Sequence, residues 1–305
     1  MMRLPPRVTV VEVGPRDGLQ NEKVTIPTAD KIAFVDRLTA AGHSTIEVSA
    51  FVSPAWVPQM ADAADVFAGI ARKPGVRYTA LVPNRAGLDR AMASGVTEVA
   101  IFAAASETFS RKNINRSIDE SLATYRDVVD QAKASGLRVR GYLSTCFSCP
   151  FEGPITAAQV ASVTSRLVEL GVYEVALSDT IGAAGPGDVI RVLEATSAVL
   201  PLQQTALHFH DTRGTALGNV LAALDCGVTT FDSSAGGLGG CPYAPGAAGN
   251  LATEDLLFML NGLGIDTGVS LDAVATASRF IETKLDHPLP SRLLRAPALK
   301  PPSAT

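Results

Sequence analysis

"ELGVYEVAL", residues 169–177, sets the end of one helix, a glycine stop and the start of a β-strand side by side. The same phrase returns as "AAGHSTIEV" (40–48), "ASGVTEVAI" (93–101) and "DCGVTTFD" (225–232). A glycine at a helix C-terminus takes the left-handed conformation that ends it, and the β-branched run that follows reads as a strand. Working outward, eight such strands can be marked: 8–13, 45–48, 77–81, 98–103, 138–143, 174–178, 205–210 and 229–232. Between them lie helical patterns with their own punctuation. Thr28 is expected to cap a helix closed by Gly42, Ser117 one closed by Gly136, and Thr156 one closed by Gly171. Strand and helix alternating eight times is the pattern of an α/β fold, a closed (βα)8 TIM barrel rather than an open sheet. A helix near Glu254–Leu263 completes the eighth unit, and an extra C-terminal helical segment is expected at Leu271–Lys284.

Residues 1–285 are therefore read as one barrel domain. Residues 286–305 are read as a Pro-rich tail, extended rather than helical, because proline removes helical hydrogen bonds. Hydrophobic residues make up 47% of the 305 positions and charged ones 18%, enough apolar side chain for a large core. The net charge of −4 and the absence of a Lys/Arg run argue against a nucleic-acid partner. No long apolar run and no secretory leader are visible, so no membrane association and a cytoplasmic location are expected. The four cysteines, Cys146, Cys149, Cys226 and Cys241, are too scattered for a disulfide framework and read as thiols.

In such barrels the catalytic residues gather at the C-terminal ends of the strands. The polar residues that follow the strands here fit that rule: Arg16 and Asp17 after strand 1, Glu47 in strand 2, Asp179 after strand 6, and "HFHD" at the end of strand 7. His208 and His210 are two apart on a strand, so both imidazoles point to one side, an arrangement suited to a metal. A carboxylate from Asp17 and an amide oxygen would complete a set better matched to Mg²⁺ or Mn²⁺ than to structural Zn²⁺, although Zn²⁺ or Co²⁺ could substitute. Asp17 could also be no more than a turn residue in "RDG", but its neighbour Arg16 is placed to stabilise a developing oxyanion or enolate.

Three further stretches carry less. "CFSC" (146–149) is half a zinc site and has no thioredoxin-like context. "RKNINR" (111–116) is either a solvated loop or an anion site for a large phosphorylated cofactor. The glycine-rich run Gly236–Asn250 lacks the Lys-Ser/Thr of a phosphate loop and is read as a mobile lid that carries Cys241 and ends in Asn250.

Together, "VEVGPRDGLQNE" (11–22), "FVSPAWVPQMAD" (51–62), "RKNIN", "RGY" (140–142), "HFHDT" (208–212), "GGLGGCPYA" (236–244) and "GNLATEDL" (249–256) resemble the 3-hydroxy-3-methylglutaryl-CoA lyase family over roughly residues 8–285. That family belongs to a metallolyase superfamily whose synthases share "RDG" and "HxHD" but lack the cysteine-bearing glycine loop. The resemblance implies a TIM barrel that uses Mg²⁺ or Mn²⁺ in a retro-Claisen cleavage of 3-hydroxy-3-methylglutaryl-CoA to acetyl-CoA and acetoacetate, with a place in leucine degradation and ketone-body formation. It also implies roles: Asp17, His208, His210 and Asn250 as metal ligands, Arg16 as the cation facing the enolate, Glu47 and Asp179 as supporting acids, and Cys241 as the catalytic thiol. Asn113 and Arg140 are implied to lie near the acyl-CoA, with Asp17, His208 and Cys241 as candidate proton carriers and a homodimer or larger homo-oligomer as the assembly.

The chain departs from the family in places. The usual "HDTYGQALAN" is "HDTRGTALGN" (210–219), which brings Arg213 and Thr215 to the rim; two usual serines are Ala50 and Ala176, and a usual glycine is Ser178. The departures leave the same cleavage on a different branched 3-hydroxyacyl-CoA open, with Arg213 the feature to test. A non-catalytic acyl-CoA binder is the reading from another class.

Overall fold

A computed structural model describes residues 4–240 and 249–296. Eight parallel strands close into a barrel: β1 (Thr9–Glu12), β2 (Thr45–Ala50), β3 (Arg77–Leu81), β4 (Glu98–Ala104), β5 (Arg138–Ser144), β6 (Glu174–Asp179), β7 (Thr205–Phe209) and β8 (Thr230–Ser233), each bonded to its chain neighbours and β8 to β1. All eight expected strands are present, shifted by a residue or two at their ends. The strand interiors are almost entirely buried because parallel strands are covered on both faces, by the barrel interior and by the helical ring.

Nine helices form that ring among the described residues and follow β1–β8 in turn: α1 (Thr28–Ala40), α2 (Ala63–Gly69), α3 (Arg85–Ala93), α4 (Glu107–Ile114) leading into α5 (Ile118–Ala134), α6 (Ala157–Leu170), α7 (Pro186–Thr196), α8 (Ala216–Asp225) and α9 (Thr253–Gly262), with α4 and α5 sharing the place after β4. Ser117 and Thr156 cap α5 and α6 with full capping boxes, and Gly136 and Gly171 follow those helices in the left-handed region at φ +78° and +90°. The expected cap at Thr28 is corrected: Pro27 holds the N-cap position, and the Thr28 hydroxyl donates instead to Asp62 at 2.8 Å. Proline can stand there because the helix needs no amide from it.

The extra segment α10 (Leu271–Glu282) packs on α1, where Arg37 lies over the Phe280 ring. The described part of the tail is docked rather than extended. Leu289 is buried, and Arg292–Arg295 form a helical turn whose cap, Ser291, and first amides bond the Asp255 carboxylate of α9. Among the described residues its prolines, Pro288 and Pro290, precede that turn and remove none of its hydrogen bonds. No helix among the described residues is long and apolar enough to cross a membrane.

Candidate active site at the C-terminal rim of the barrel

Beyond β1 the chain turns through a single wide helical turn, Gly14–Gly18, in which the amides of Asp17 and Gly18 both bond Val13 O. That turn aims Asp17 across the rim at the end of β7, where His208 and His210 point the same way. One ligand atom from each of Asp17, His208 and His210 falls within 4.8 Å of the others. Asn250 joins them because the chain returning from the glycine run lies between the ends of β7 and β8. Leu251 N bonds Phe209 O, Asp211 N bonds Gly249 O and Ser234 N bonds Leu251 O. His210 and Asn250 thereby become bridge partners. Asn250 Nδ2 donates to Asp17 Oδ2 at 2.8 Å and to Leu238 O at 3.0 Å.

The donor set fits a divalent cation. Asn250 Oδ1 and His210 Nδ1 are buried with no hydrogen-bond partner among the described residues, an arrangement folded proteins avoid unless a further ligand is to be held. Burial and the neighbouring His208 hold His210 down to about 4, so it is a neutral imidazole with a lone pair to give. His208 is oriented from behind. Its Nδ1 faces Asp232 Oδ2 at 3.3 Å, which leaves Nε2 toward Asp17 Oδ2 at 3.9 Å. Burial works against the charged form of Asp17, but Arg16 and the two histidines outweigh it and hold its carboxyl well below the usual range.

Arg16 sits beside this cluster, nearly buried, with Nε on Glu47 Oε2 at 2.6 Å, Nη1 on Asp17 Oδ1 at 2.8 Å and the guanidinium over the Tyr142 ring. Burial opposes its charge, yet Glu47 and Asp17 raise its pKa and fix it as a cation. Glu47 reaches it from mid-strand. The β2–β3 register slips between Glu47 and Ser49, a bulge of the kind that re-aims side chains near sites.

A cleft of about 390 Å³ opens from the cluster toward the loops after β2, β3 and β4. Arg16, Asp17, His208, His210, Ser178 and Thr180 line its inner end. Leu81, Phe102, Phe109 and Tyr125 form apolar walls, and Asn113 and Arg116 add polar groups to the lining. "RKNINR" is corrected from a loop to the last turn of α4: Arg111 pairs with Glu107 at 2.9 Å, and Asn115 ends the helix in the left-handed region.

Other expected site residues lie elsewhere. Arg140 is not on the cleft wall. It is buried one layer beneath, with Nη2 on Asp232 Oδ1 at 2.7 Å, Nη1 on Asp232 Oδ2 at 3.2 Å and Nε on Glu174 Oε1 at 2.7 Å. Asp179 faces away from the cleft and accepts the amides of Ala183 and Ala184 at 3.0 and 2.9 Å, shaping the loop after β6. Arg213 is exposed, off the cleft, and donates to the carbonyls of Ile181 and Gly182. Ala50 and Ala176 are buried behind the wall. Cys146 and Cys149 are buried free thiols, one donating to Leu143 O and the other accepting from Ser106 Oγ, which leaves "CFSC" structural. Cys241 lies outside the described residues; Gly240, its neighbour in sequence, lines the cleft. Asp232, Tyr142, Glu12 and Glu254 were missed. Asp232, Tyr142 and Glu12 lie on strands and Glu254 on α9, and each meets partners far away in the sequence.

The family described as HMGL-like matches residues 7–281. The hydroxymethylglutaryl-CoA lyase of Bacillus subtilis is 52% identical over 294 residues, covering 96% of this chain and 98% of that one. A Pseudomonas aeruginosa protein named 3-hydroxy-3-isohexenylglutaryl-CoA/hydroxymethylglutaryl-CoA lyase is 53% identical over 295 residues, 97% of this chain and 98% of the other. The structure of an HMG-CoA lyase from Acinetobacter baumannii in complex with coenzyme A and 3-methylmalate superposes with a TM-score of 0.92 at 40% identity and covers 97% of each chain.

Proposed function

The chain belongs to the HMGL-like family, and from that premise we propose that it is a divalent-metal-dependent carbon–carbon lyase cleaving 3-hydroxy-3-methylglutaryl-CoA to acetyl-CoA and acetoacetate. The observation that carries this reading is the convergence of Asp17, His208, His210 and Asn250 beside a fixed guanidinium at the closed end of a long cleft. Mg²⁺ or Mn²⁺ is the cation we assign. When bound, it would lower the pKa of a hydroxyl it coordinates.

The chain's own residues supply the rest. Asp17, His208, His210 and the Asn250 amide oxygen hold the cation. Arg16, kept charged by Glu47 and Asp17, stands where the departing acetyl thioester gathers negative charge as an enolate, and a preorganised cation there lowers the barrier to C–C cleavage. The apolar walls keep water from that carbanion equivalent. The tertiary hydroxyl gives its proton to a base, and its oxygen becomes the ketone carbonyl of acetoacetate as the C–C pair leaves with the thioester. The enolate carbon then takes one proton back. A lone pair committed to a cation cannot also carry one, so of the three proton-carrier candidates Cys241 is the one we assign, on the family's motif. Asn113 contributes to holding the CoA portion; Arg140 and Asp179 act through other groups. A cytoplasmic location and a homodimer or larger homo-oligomer belong to the same proposal.

The test is acetyl-CoA release from 3-hydroxy-3-methylglutaryl-CoA with Mg²⁺ or Mn²⁺, abolished by chelator and restored by metal. No turnover under any metal would refute the assigned substrate. Cys241→Ala is expected to retain metal binding and lose most turnover; a wild-type rate would take the thiol out of the mechanism. A second reading, a bulkier substituent on the 3-hydroxyglutaryl thioester, is favoured by the apolar walls Leu81, Phe102 and Tyr125 and by the name of the Pseudomonas relative. 3-Hydroxy-3-isohexenylglutaryl-CoA in the same assay separates the two.

A further inference from the structure

We propose that Glu12 is a positioning residue for the metal site, a buried carboxylate that fastens the loop bearing Asp17 to both ends of the segment bearing Asn250. The inference rests on the metal reading given above.

Glu12 ends β1 and is wholly buried. Its Oε1 accepts the amides of Gly14 and Ala235, both at 2.8 Å, and its Oε2 accepts the Thr253 hydroxyl at 2.7 Å. Thr253 Oγ1 is in turn 2.8 Å from Ser233 Oγ at the end of β8. Three separate pieces of chain thus meet on one carboxylate. Gly14 opens the turn that presents Asp17, Ala235 opens the glycine run after β8, and Thr253 opens α9 just after the run has returned through Asn250. The two ligands this arrangement brackets touch each other, Asn250 Nδ2 on Asp17 Oδ2. The approach is close: a Cβ on Gly14 would lie 2.7 Å from Glu12 Oε1, so a side chain there would push the carboxylate off its donors.

A second carboxylate reinforces the same hinge. Glu254 accepts the amide of Gly236 at 3.1 and 2.9 Å and the hydroxyl of Ser278, so the consecutive amides of Ala235 and Gly236 are each held by a buried acid. Gly236 is in the left-handed region at φ +71°. The other ionisable group against Glu12 is His43, whose Nε2 is 3.6 Å from Oε2. Burying a carboxylate away from the reaction is costly, and an apolar side chain would serve the core better. Holding two amides and a hydroxyl from three segments at once is what an apolar side chain cannot do.

The experiment compares the unmutated chain with Glu12→Ala, Glu12→Gln and Thr253→Val. Free Mn²⁺ is measured by EPR during titration, and circular dichroism and thermal melting are recorded on the same samples. Glu12→Ala is expected to weaken Mn²⁺ binding ~10–100-fold, the usual effect of losing a group that orients metal ligands. Glu12→Gln retains an oxygen for the two amides and should recover most of that loss, which a role in bulk stability alone would not produce. A folded Glu12→Ala protein with unmutated Mn²⁺ affinity overturns the proposal. If Glu12→Ala does not fold, Thr253→Val decides, because it removes only the hydroxyl donor: weaker binding supports the proposal and unchanged binding overturns it. If the unmutated chain binds no Mn²⁺, the metal reading itself falls and takes this inference with it.

Discussion

His208 owes its direction to Asp232, three strands on from Arg140 in the chain and adjacent to it in space. Asp232 receives both terminal nitrogens of Arg140 and turns its remaining edge to His208 Nδ1, so the imidazole is held with Nε2 toward Asp17. Burial works against the imidazolium, but the hydrogen bond to Asp232 and the nearby Asp17 raise the pKa of His208. Asp232→Asn keeps the shape but replaces an acceptor by an amide that can turn its NH₂ to the ring and free the other tautomer. It is expected to lower both kcat and Mn²⁺ affinity ~10–100-fold. Steady-state kinetics and Mn²⁺ titration check it, and unchanged values in a folded variant would remove Asp232 from the site. The histidine pair was legible because a spacing of two on a strand fixes a common face. Asp232 was not, because nothing local in "TTFD" tells that its carboxylate meets a guanidinium from strand 5. Arg140 was noticed for its motif and placed one layer too high.

At the scale of elements, the turn after β1 and the glycine run after β8 carry the site, and both depend on backbone conformations a sequence only hints at. Gly236 shows this: it is at φ +71°, and a Cβ there would press on the Leu289 side chain of the docked tail. Gly236→Ala should therefore cost at least ~1 kcal/mol from the left-handed backbone alone, with the clash added. Urea unfolding measures it, and a variant as stable as the unmutated chain would overturn both the left-handed backbone at Gly236 and the seating of Leu289 against it. The loop after β7 carries the opposite lesson. Arg213 departs from the family and is the feature to test for a changed substrate, but its guanidinium binds the carbonyls of Ile181 and Gly182 and lies off the cleft. Arg213→Tyr is thus expected to leave the relative rates on different 3-hydroxyacyl-CoA thioesters unchanged. A shift in preference would return Arg213 to the cleft. Sequence placed the residue on the correct loop; which way a loop residue faces depends on the neighbouring loop's carbonyls, which no local pattern encodes.

Burial shifts several ionisable groups of the molecule, and its stability should report that. Burial pushes Glu12 up to about 8 and Glu254 up to about 7. It holds His43 and His210 down to about 4. The two acids keep, in the folded chain, protons that the unfolded chain releases above their ordinary value of 4.5, so their contribution is complete below 4.5 and is lost as pH rises through 7 to 8. The histidines refuse protons that the unfolded chain accepts below 6.5, so theirs is complete above 6.5 and is lost as pH falls toward 4. Between 4.5 and 6.5 the two slopes oppose each other, which puts the stability maximum of the metal-free chain in mildly acidic solution. In chelator, the melting temperature should therefore be higher near pH 6 than near pH 8.5, and Glu12→Gln, which removes one of the titrating acids, should make that fall shallower. A melting temperature that holds level or climbs over the same interval would mean that Glu12 is ionised in the folded state, held so by the three donors around it rather than neutralised by its burial.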